Sequence, residues 1–569
     1  MTRSGKIILG LIIALGFILR FTAVNFGLPH LYHADEPIVV NHALAYGSGD
    51  FNPHFFKIPP LVSYLLFLCY GIFFVIGKTA GLFANVFAFE NFFYADPTVF
   101  YLIARIIFGV LAGTYSVYLL YKVFAGYFKN KTALTAAFFF AVCFLHVRDS
   151  HYVYADIPLC LVVIWALGTF LKLQEDPSFK SHLISGSLIG LAAAFKYNGA
   201  ALVFPYLAAS FLSPRKFDIK GWLSAGFISI FVFLALNPFS VLDFHFFRSE
   251  LATQSASQGG TFFLHHFIYS LAGGLGWPML GASLLGLSTV IFGRNPKTKV
   301  LAVFAGAYYI VLVLFGQPYD RYALPLIPVL VFFAADITVF LTGNKNKTRI
   351  FFLVLGLLAL SIIPLAKSIV FDQIMTAKDT RTLAKEWIEQ NIPANSRIAL
   401  DWDFFTPRLN WSTEALGEKT KEVIDNPGIF ATPQLHRLKN LVSQSYASKN
   451  PNYKGYQLFF LTDTPTDRPF LFSHPAFSYN VDAWAKTERP DVHFDYVVVV
   501  HPSGTSNRKF LEQLRVRADL VIQFSPFRNG RMEPYDKLPL TGGPFLWSEL
   551  WHRERNGLPL EIYKMRHHA

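Results

Sequence analysis

Two adjacent carboxylates, Asp35 and Glu36 in "HADEP", are followed by a lone Lys57 in "FKIPPL". Further on, "HVRDSHYVYADIP" (146–158) carries Arg148 and Asp156, "AAFKYNG" carries Lys196, and "DRYALPLIP" carries Arg321 and Tyr322. A carboxylate at a membrane interface can take the proton of an attacking hydroxyl. Lysine as a point charge and arginine as a planar fork can hold a phosphate at the same depth. A sugar carried on a lipid phosphate would suit such a site, because the departing phosphate is already a stable anion. Cations that gather its charge are then sufficient, with no protonation of the leaving group. That chemistry requires no metal or other cofactor, although a divalent metal is compatible with it.

The elements that hold these groups are set by an apolar composition. The chain has 569 residues, 53% hydrophobic and 17% aromatic with 15% charged, and its mean hydropathy is +0.37. Soluble domains do not have this balance, so the chain is read as a polytopic, mainly α-helical membrane bundle. The net charge of +13 lies largely in short Lys/Arg clusters between apolar runs, which suits membrane anchoring and argues against nucleic acid as a partner. Cys69, Cys143 and Cys160 sit in apolar segments without paired spacing and read as core residues. The basic start with a long apolar run and no small-x-small site reads as a retained signal anchor.

Spans of about 20 apolar residues recur to residue 370 or so. The basic clusters Arg3/Lys6, 129–131, 172–180, 213–220, 293–299 and 343–349 are assigned to the cytoplasm. That orientation holds only if 59–77 lies along or dips into the outer surface, or pairs with 79–95; the surface reading is preferred. The spans then fall near 7–28, 98–122, 132–147, 156–172, 182–196, 199–213, 221–238, 265–292, 300–316, 322–341 and 350–370, or about 11 in all. This divides the chain into a transmembrane region, 1–371, with a long first outer loop at 29–97, and an extracytoplasmic α/β domain, 372–569. The periodicity supporting the latter is an amphipathic helix carrying Leu383, Trp387 and Ile388, a helix near "NRKFLEQLRV", and strands "SRIALD", "YQLFFLT", "DYVVVVH", "DLVIQF" and "PLEIYKM". All the candidate charges converge on the outer face, where charge next to hydrocarbon is commonly functional.

Simpler roles compete for each residue. Asp35 and Asp156 could cap helices, Lys57 could snorkel to headgroups, and Lys196 could be an interfacial anchor. Arg148 could pair with Asp149, and Arg321 with Asp320. His33, His54, His245, His265 and His266 lack ligand-like spacing and read as interfacial polar groups, with no metal site assigned.

The ordered set formed by the acidic pair, "SGDF", the lysine before "PPL", "SHYVYADIPL", "AAFKYNG" and "DRYALPLIPVL" resembles the polytopic GT-C glycosyltransferases, over roughly residues 1–370. The likeness is to protein O-mannosyltransferases and lipid A aminoarabinose transferases in particular. It implies an inverting glycosyltransferase that moves a mannose-like or other sugar from a polyprenyl-phosphate donor to an acceptor hydroxyl on a protein, lipid or glycan. In that resemblance Asp35 matches the general base, with Glu36 its neighbour and Asp156 a further carboxylate. Lys57, Lys196 and Arg321 match donor-phosphate cations, with Ile58 interrupting the family's Lys-Pro-Pro. Arg148, Tyr322 and His54 are placed as substrate-binding candidates. Phe56 stands where the aminoarabinose transferases have Glu, a departure from their metal-associated arrangement. The implied setting is a bacterial inner membrane with the C-terminal domain outside. A secondary transporter or lipid flippase would use similar charges, but no inverted repeat is visible and the charges gather at one face instead of the midplane.

Overall fold

The computed structural model describes residues 2–33, 35–214, 218–257, 263–315, 318–342, 347–401, 405–425, 454–462, 477–480, 493–501, 508–533 and 547–566. A helical bundle fills the chain up to Thr376, and a six-stranded sheet with flanking helices follows.

Among the described residues, eight helices are long and apolar enough to cross a membrane, or nine if the pair His266–Leu275 and Trp277–Phe292, bent by 109°, forms one span. The difference from about 11 spans has a local cause. The expected span 132–147 is broken at Cys143 into Asn130–Val142 and Phe144–Asp149. The expected span 199–213 opens with a 3₁₀ turn, Tyr197–Leu202, leaving only nine α-helical residues in Val203–Phe211. Helix Phe179–Phe195 has 17 residues. Conversely, Leu61–Thr79 has the length and apolarity of a span, so length alone does not distinguish crossing from lying at the surface.

Small residues set the closest helix contacts. In Phe179–Phe195, a Cβ on Gly186 or Gly190 would stand 2.3 Å from the backbone oxygen of Ala225 or Ser229 in helix Ile219–Leu236. Only glycine permits that approach. The long helix Thr98–Tyr127 contains a π-helical segment, Arg105–Leu111. The extra residue per turn is typical of helices adapted to a special contact; here Gly109 presses on Ser150, whose oxygen would lie 2.0 Å from an added Cβ. Helices Asp156–Glu175 and Asp320–Thr342 are the most enclosed, whereas Leu68, Ile72, Leu223 and Phe227 face outward, as a lipid-contacting shell requires.

The sheet order is β3-β2-β1-β4-β6-β5, with β1 Arg397–Leu400, β2 Gln457–Thr462, β3 Phe477–Asn480, β4 Tyr496–Val500, β5 Ala518–Phe524 and β6 Leu560–Met565. The first four strands in that order are parallel, and β6 runs antiparallel to both its neighbours, β4 and β5. Every strand read from the sequence is present; β3 is additional. Helix Thr380–Asn391 buries Ala384 and Ile388 against the β1–β4–β6 side of the sheet. The domain seats on the bundle through Leu550, which packs with Phe26, Tyr152, Tyr154 and Phe371.

Candidate active site

The loop after the first helix, the turn before helix Asp156–Glu175, the break at Lys196, helix Phe244–Ser257, helix Pro296–Phe315 and the turn at Arg321 enclose a cavity of about 710 Å³. Asp35, Asp156, Lys57, Lys196, Arg321 and Tyr322 all line it. Residues from six separate parts of the chain thus meet in one place.

Local sequence explains each position. Asp35 precedes Glu36-Pro37, where helix Glu36–Ala45 starts, but its side chain makes no capping bond. Instead, Asp35 Oδ2 accepts a hydrogen bond from Arg321 Nη2 at 3.1 Å, with the carboxylate side chain 34% exposed. The Arg321 guanidinium lies 4.4 to 5.7 Å from the ring centroids of Tyr319, Tyr154 and Tyr322. Aromatic faces shelter the cation and leave it charged. Asp156 opens its helix without a capping bond; it receives Lys196 Nζ at 2.6 Å, and Lys196 also lies 3.6 Å above the Tyr322 ring. Lys196 reaches the cavity because helix Phe179–Phe195 stops at it with extended backbone.

His33 braces this arrangement. Its Nδ1 accepts the Asp35 N–H at 3.3 Å, and its Nε2 lies 2.5 Å from Tyr154 Oη. Burial holds the imidazole neutral, lowering its pKa to about 4, so with Nδ1 accepting, Nε2 carries the proton and donates to Tyr154. Burial likewise holds the Tyr154 phenol well above its ordinary value.

Lys57 lines the cavity with an exposed side chain and no ion pair among the described residues. Its neighbour Phe56 is held on both sides: the backbone N–H donates to Glu250 at 2.7 Å, and the carbonyl accepts from Tyr197 Oη at 2.8 Å. Asn52 adds a bond to Asp243 at 2.9 Å. These contacts fix the Lys57 loop against helix Phe244–Ser257, whose Arg248 lines the same cavity. Arg248 was missing from the residues chosen from sequence. The signal available was a cation in a segment between apolar runs that is otherwise rich in phenylalanine, "FHFFRSE".

Three candidates belong elsewhere. Glu36 is fully buried and bidentate with Arg105 at 2.7 and 2.8 Å, and also accepts the Val153 N–H at 3.1 Å. It is not among the cavity's walls, and it ties the loop after the first helix to the bundle. Arg148 pairs with Asp149 as anticipated, but both are buried, and Arg148 also reaches Asp320 at 3.2 Å. Asp320 is therefore taken, and Arg321 turns to Asp35. His54 pairs with Asp50 at 3.0 Å on the exposed loop and is not among the cavity's walls. No group of three or more His, Cys, Asp or Glu placed to hold a metal occurs among the described residues.

Residues 99–241 match the family described as dolichyl-phosphate-mannose-protein mannosyltransferase. No curated protein sequence matches the chain significantly. Among solved structures, ArnT from Cupriavidus metallidurans in the apo state is 12% identical, covers 90% of this chain and 95% of its own, and gives a TM-score of 0.49. The same protein bound to undecaprenyl phosphate is 13% identical, with 92% and 96% coverage and a TM-score of 0.46. The Archaeoglobus fulgidus oligosaccharyltransferase tethered to an acceptor peptide is 14% identical over 71% of this chain and 62% of its own, with a TM-score of 0.43. At these TM-scores the likeness carries no residue assignment.

Proposed function

We propose that this polytopic membrane protein, similar over residues 99–241 to the dolichyl-phosphate-mannose-protein mannosyltransferases, is a GT-C glycosyltransferase using a lipid-linked sugar. The donor is a sugar on a polyprenyl phosphate, and the acceptor is a hydroxyl presented at the outer face. The observation that carries this reading is the cavity itself, where a half-exposed carboxylate and cations without a carboxylate partner share one wall system.

Asp35 takes the acceptor's proton. The oxygen then attacks the anomeric carbon from the face opposite the phosphate, the C–O bond to phosphate breaks, and the configuration inverts. Arg321 holds the Asp35 carboxylate and, having further N–H donors, adds positive charge to the site. Lys57 and Arg248 are the cations best able to receive the departing phosphate, because neither must first give up a carboxylate. Lys196 is committed to Asp156, and together they form a neutral floor beside Tyr322 that suits hydroxyl recognition. Apolar walls from Ile38, Ile58, Val62, Leu251 and Val311 suit the lipid end of the donor. Leu61–Thr79 lies at the outer surface in this reading, with the C-terminal domain outside and the bacterial inner membrane as the setting.

Mass spectrometry of membrane glycoconjugates from cells with and without the chain tests this. Loss of one sugar residue from a carrier, with accumulation of the lipid-phosphate sugar, is expected. Unchanged glycoconjugates together with protein-dependent movement of a labelled lipid would favour a flippase instead.

A further inference from the structure

We infer that the C-terminal domain is a positioning element of the catalytic carboxylate, acting through a clamp of Arg381 on Tyr32. The inference rests on the reading of Asp35 as general base. Arg381 is the second residue of helix Thr380–Asn391 and is almost fully buried. Its guanidinium lies 3.9 Å from the Tyr32 ring centroid, and Nη1 donates to the Tyr32 carbonyl at 3.2 Å. Asp379 fixes the fork through Nε at 2.9 Å and Nη2 at 2.8 Å. The Tyr32 hydroxyl closes the clamp on Thr382 Oγ1 at 2.9 Å. Tyr32 is thus held by ring, carbonyl and hydroxyl, all by residues of helix Thr380–Asn391.

Beyond Tyr32 the grip reaches the site in one step. His33 accepts the Asp35 N–H and bonds Tyr154, a cavity wall residue. On its other side, Asp35 is followed by Glu36, locked to Arg105. Asp35 therefore lies between two anchored points of the chain: Glu36, locked to Arg105 of the bundle, and Tyr32, three residues before it, gripped by the C-terminal domain. Charge-assisted and stacked contacts of a preorganised arginine lose little entropy on forming, and small displacements of a reacting group reduce rate steeply. A domain that merely sat on the bundle would not need to hold the backbone three residues before the base.

The test uses the full chain in membrane vesicles at equal protein level, with Arg381→Ala, Arg381→Lys, Tyr32→Phe and Asp35→Asn side by side. The readouts are the initial rate of product formation, affinity for undecaprenyl phosphate as the probe, and thermal midpoint. For Arg381→Ala the expected result is a 10- to 100-fold fall in rate with affinity for the probe within twofold of the parent, and partial recovery in Arg381→Lys. Tyr32→Phe keeps the buried ring and loses only the Thr382 contact; a two- to fivefold fall in rate at unchanged midpoint is expected. If Arg381→Ala does not fold, Tyr32→Phe decides. Full rate in Tyr32→Phe and in any folded Arg381 variant, with Asp35→Asn inactive, overturns the clamp and leaves the catalytic reading standing. Loss of rate and probe affinity in equal measure also overturns it. Full rate in Asp35→Asn refutes the catalytic reading beneath it.

Discussion

Adjacent carboxylates with opposite fates give the sharpest mutational contrast. Glu36 and Arg105 have wholly buried side chains joined by two short bonds. Glu36→Gln keeps the volume but removes the charge, leaving Arg105 buried without a counter-ion. Breaking such a pair from one side costs roughly 3–5 kcal/mol. Arg105 retains the carbonyls of Val24 and Phe26 and lies 4.1 Å from the Phe26 ring centroid, which puts the cost near the lower end, about 3 kcal/mol. At roughly 2–4 °C per kcal/mol for a domain of a few hundred residues, the thermal midpoint in detergent should fall by about 6–12 °C. Asp35→Asn removes one partly exposed bond, for which about 1 kcal/mol or less is expected, while transfer should stop. Both variants are purified in the same detergent, melted, and assayed for product. An unchanged midpoint in Glu36→Gln, or a midpoint loss in Asp35→Asn as large as in Glu36→Gln, would refute this division of labour.

Further outcomes follow from the same geometry. Lys57→Ala and Arg248→Ala should each weaken undecaprenyl phosphate binding about tenfold, as loss of a charge-assisted bond predicts; equal affinity in the double variant and the parent would exclude both from the phosphate site. Gly109→Ala drives a methyl into the Ser150 backbone oxygen and should lower the midpoint and the yield of folded protein; a parental midpoint would contradict that packing. Neutral His33 has its native pKa near 4 against about 6.5 when unfolded. Its contribution is therefore complete above pH 6.5 and disappears as pH falls toward 4, up to about 3 kcal/mol. Midpoints measured across that range should drop for the parent and drop less for His33→Gln; identical slopes would remove His33 from the account.

The charged residues of the site were legible because charge in an apolar, outward-facing context is conspicuous. Asp35, Lys57, Asp156, Lys196 and Arg321 stand out on that ground, and all reach one cavity, which Tyr322 lines beside Arg321. What sequence could not supply was pairing. Arg105 lies in a long apolar helix, 69 residues from Glu36, and no spacing rule links them. Arg321 could pair with Asp320 or Asp35, and only the Arg148–Asp320 contact decides between them. Arg248 was hidden for the converse reason: its relevance comes from the Phe56–Glu250 bond, which brings helix Phe244–Ser257 over the Lys57 loop. In the fold, apolar windows identified helices well but not their interruptions: Cys143 is as apolar as the run around it, and the turn Tyr197–Leu202 ends in an apolar Ala-Ala-Leu that merges with the run after it. Strands of the C-terminal sheet were readable from β-branched runs, "YVVVV" above all.

The central claim is that Asp35 drives transfer of a sugar from a lipid phosphate. Its most direct test is to supply membrane vesicles carrying either the parent chain or Asp35→Asn with a radiolabelled pool of polyprenyl-phosphate-linked sugars, at matched protein level. The account predicts that label leaves the lipid fraction and appears in a glycoconjugate with the parent chain. With Asp35→Asn it should stay on the lipid although undecaprenyl phosphate still binds. Transfer at the parental rate by Asp35→Asn would contradict it.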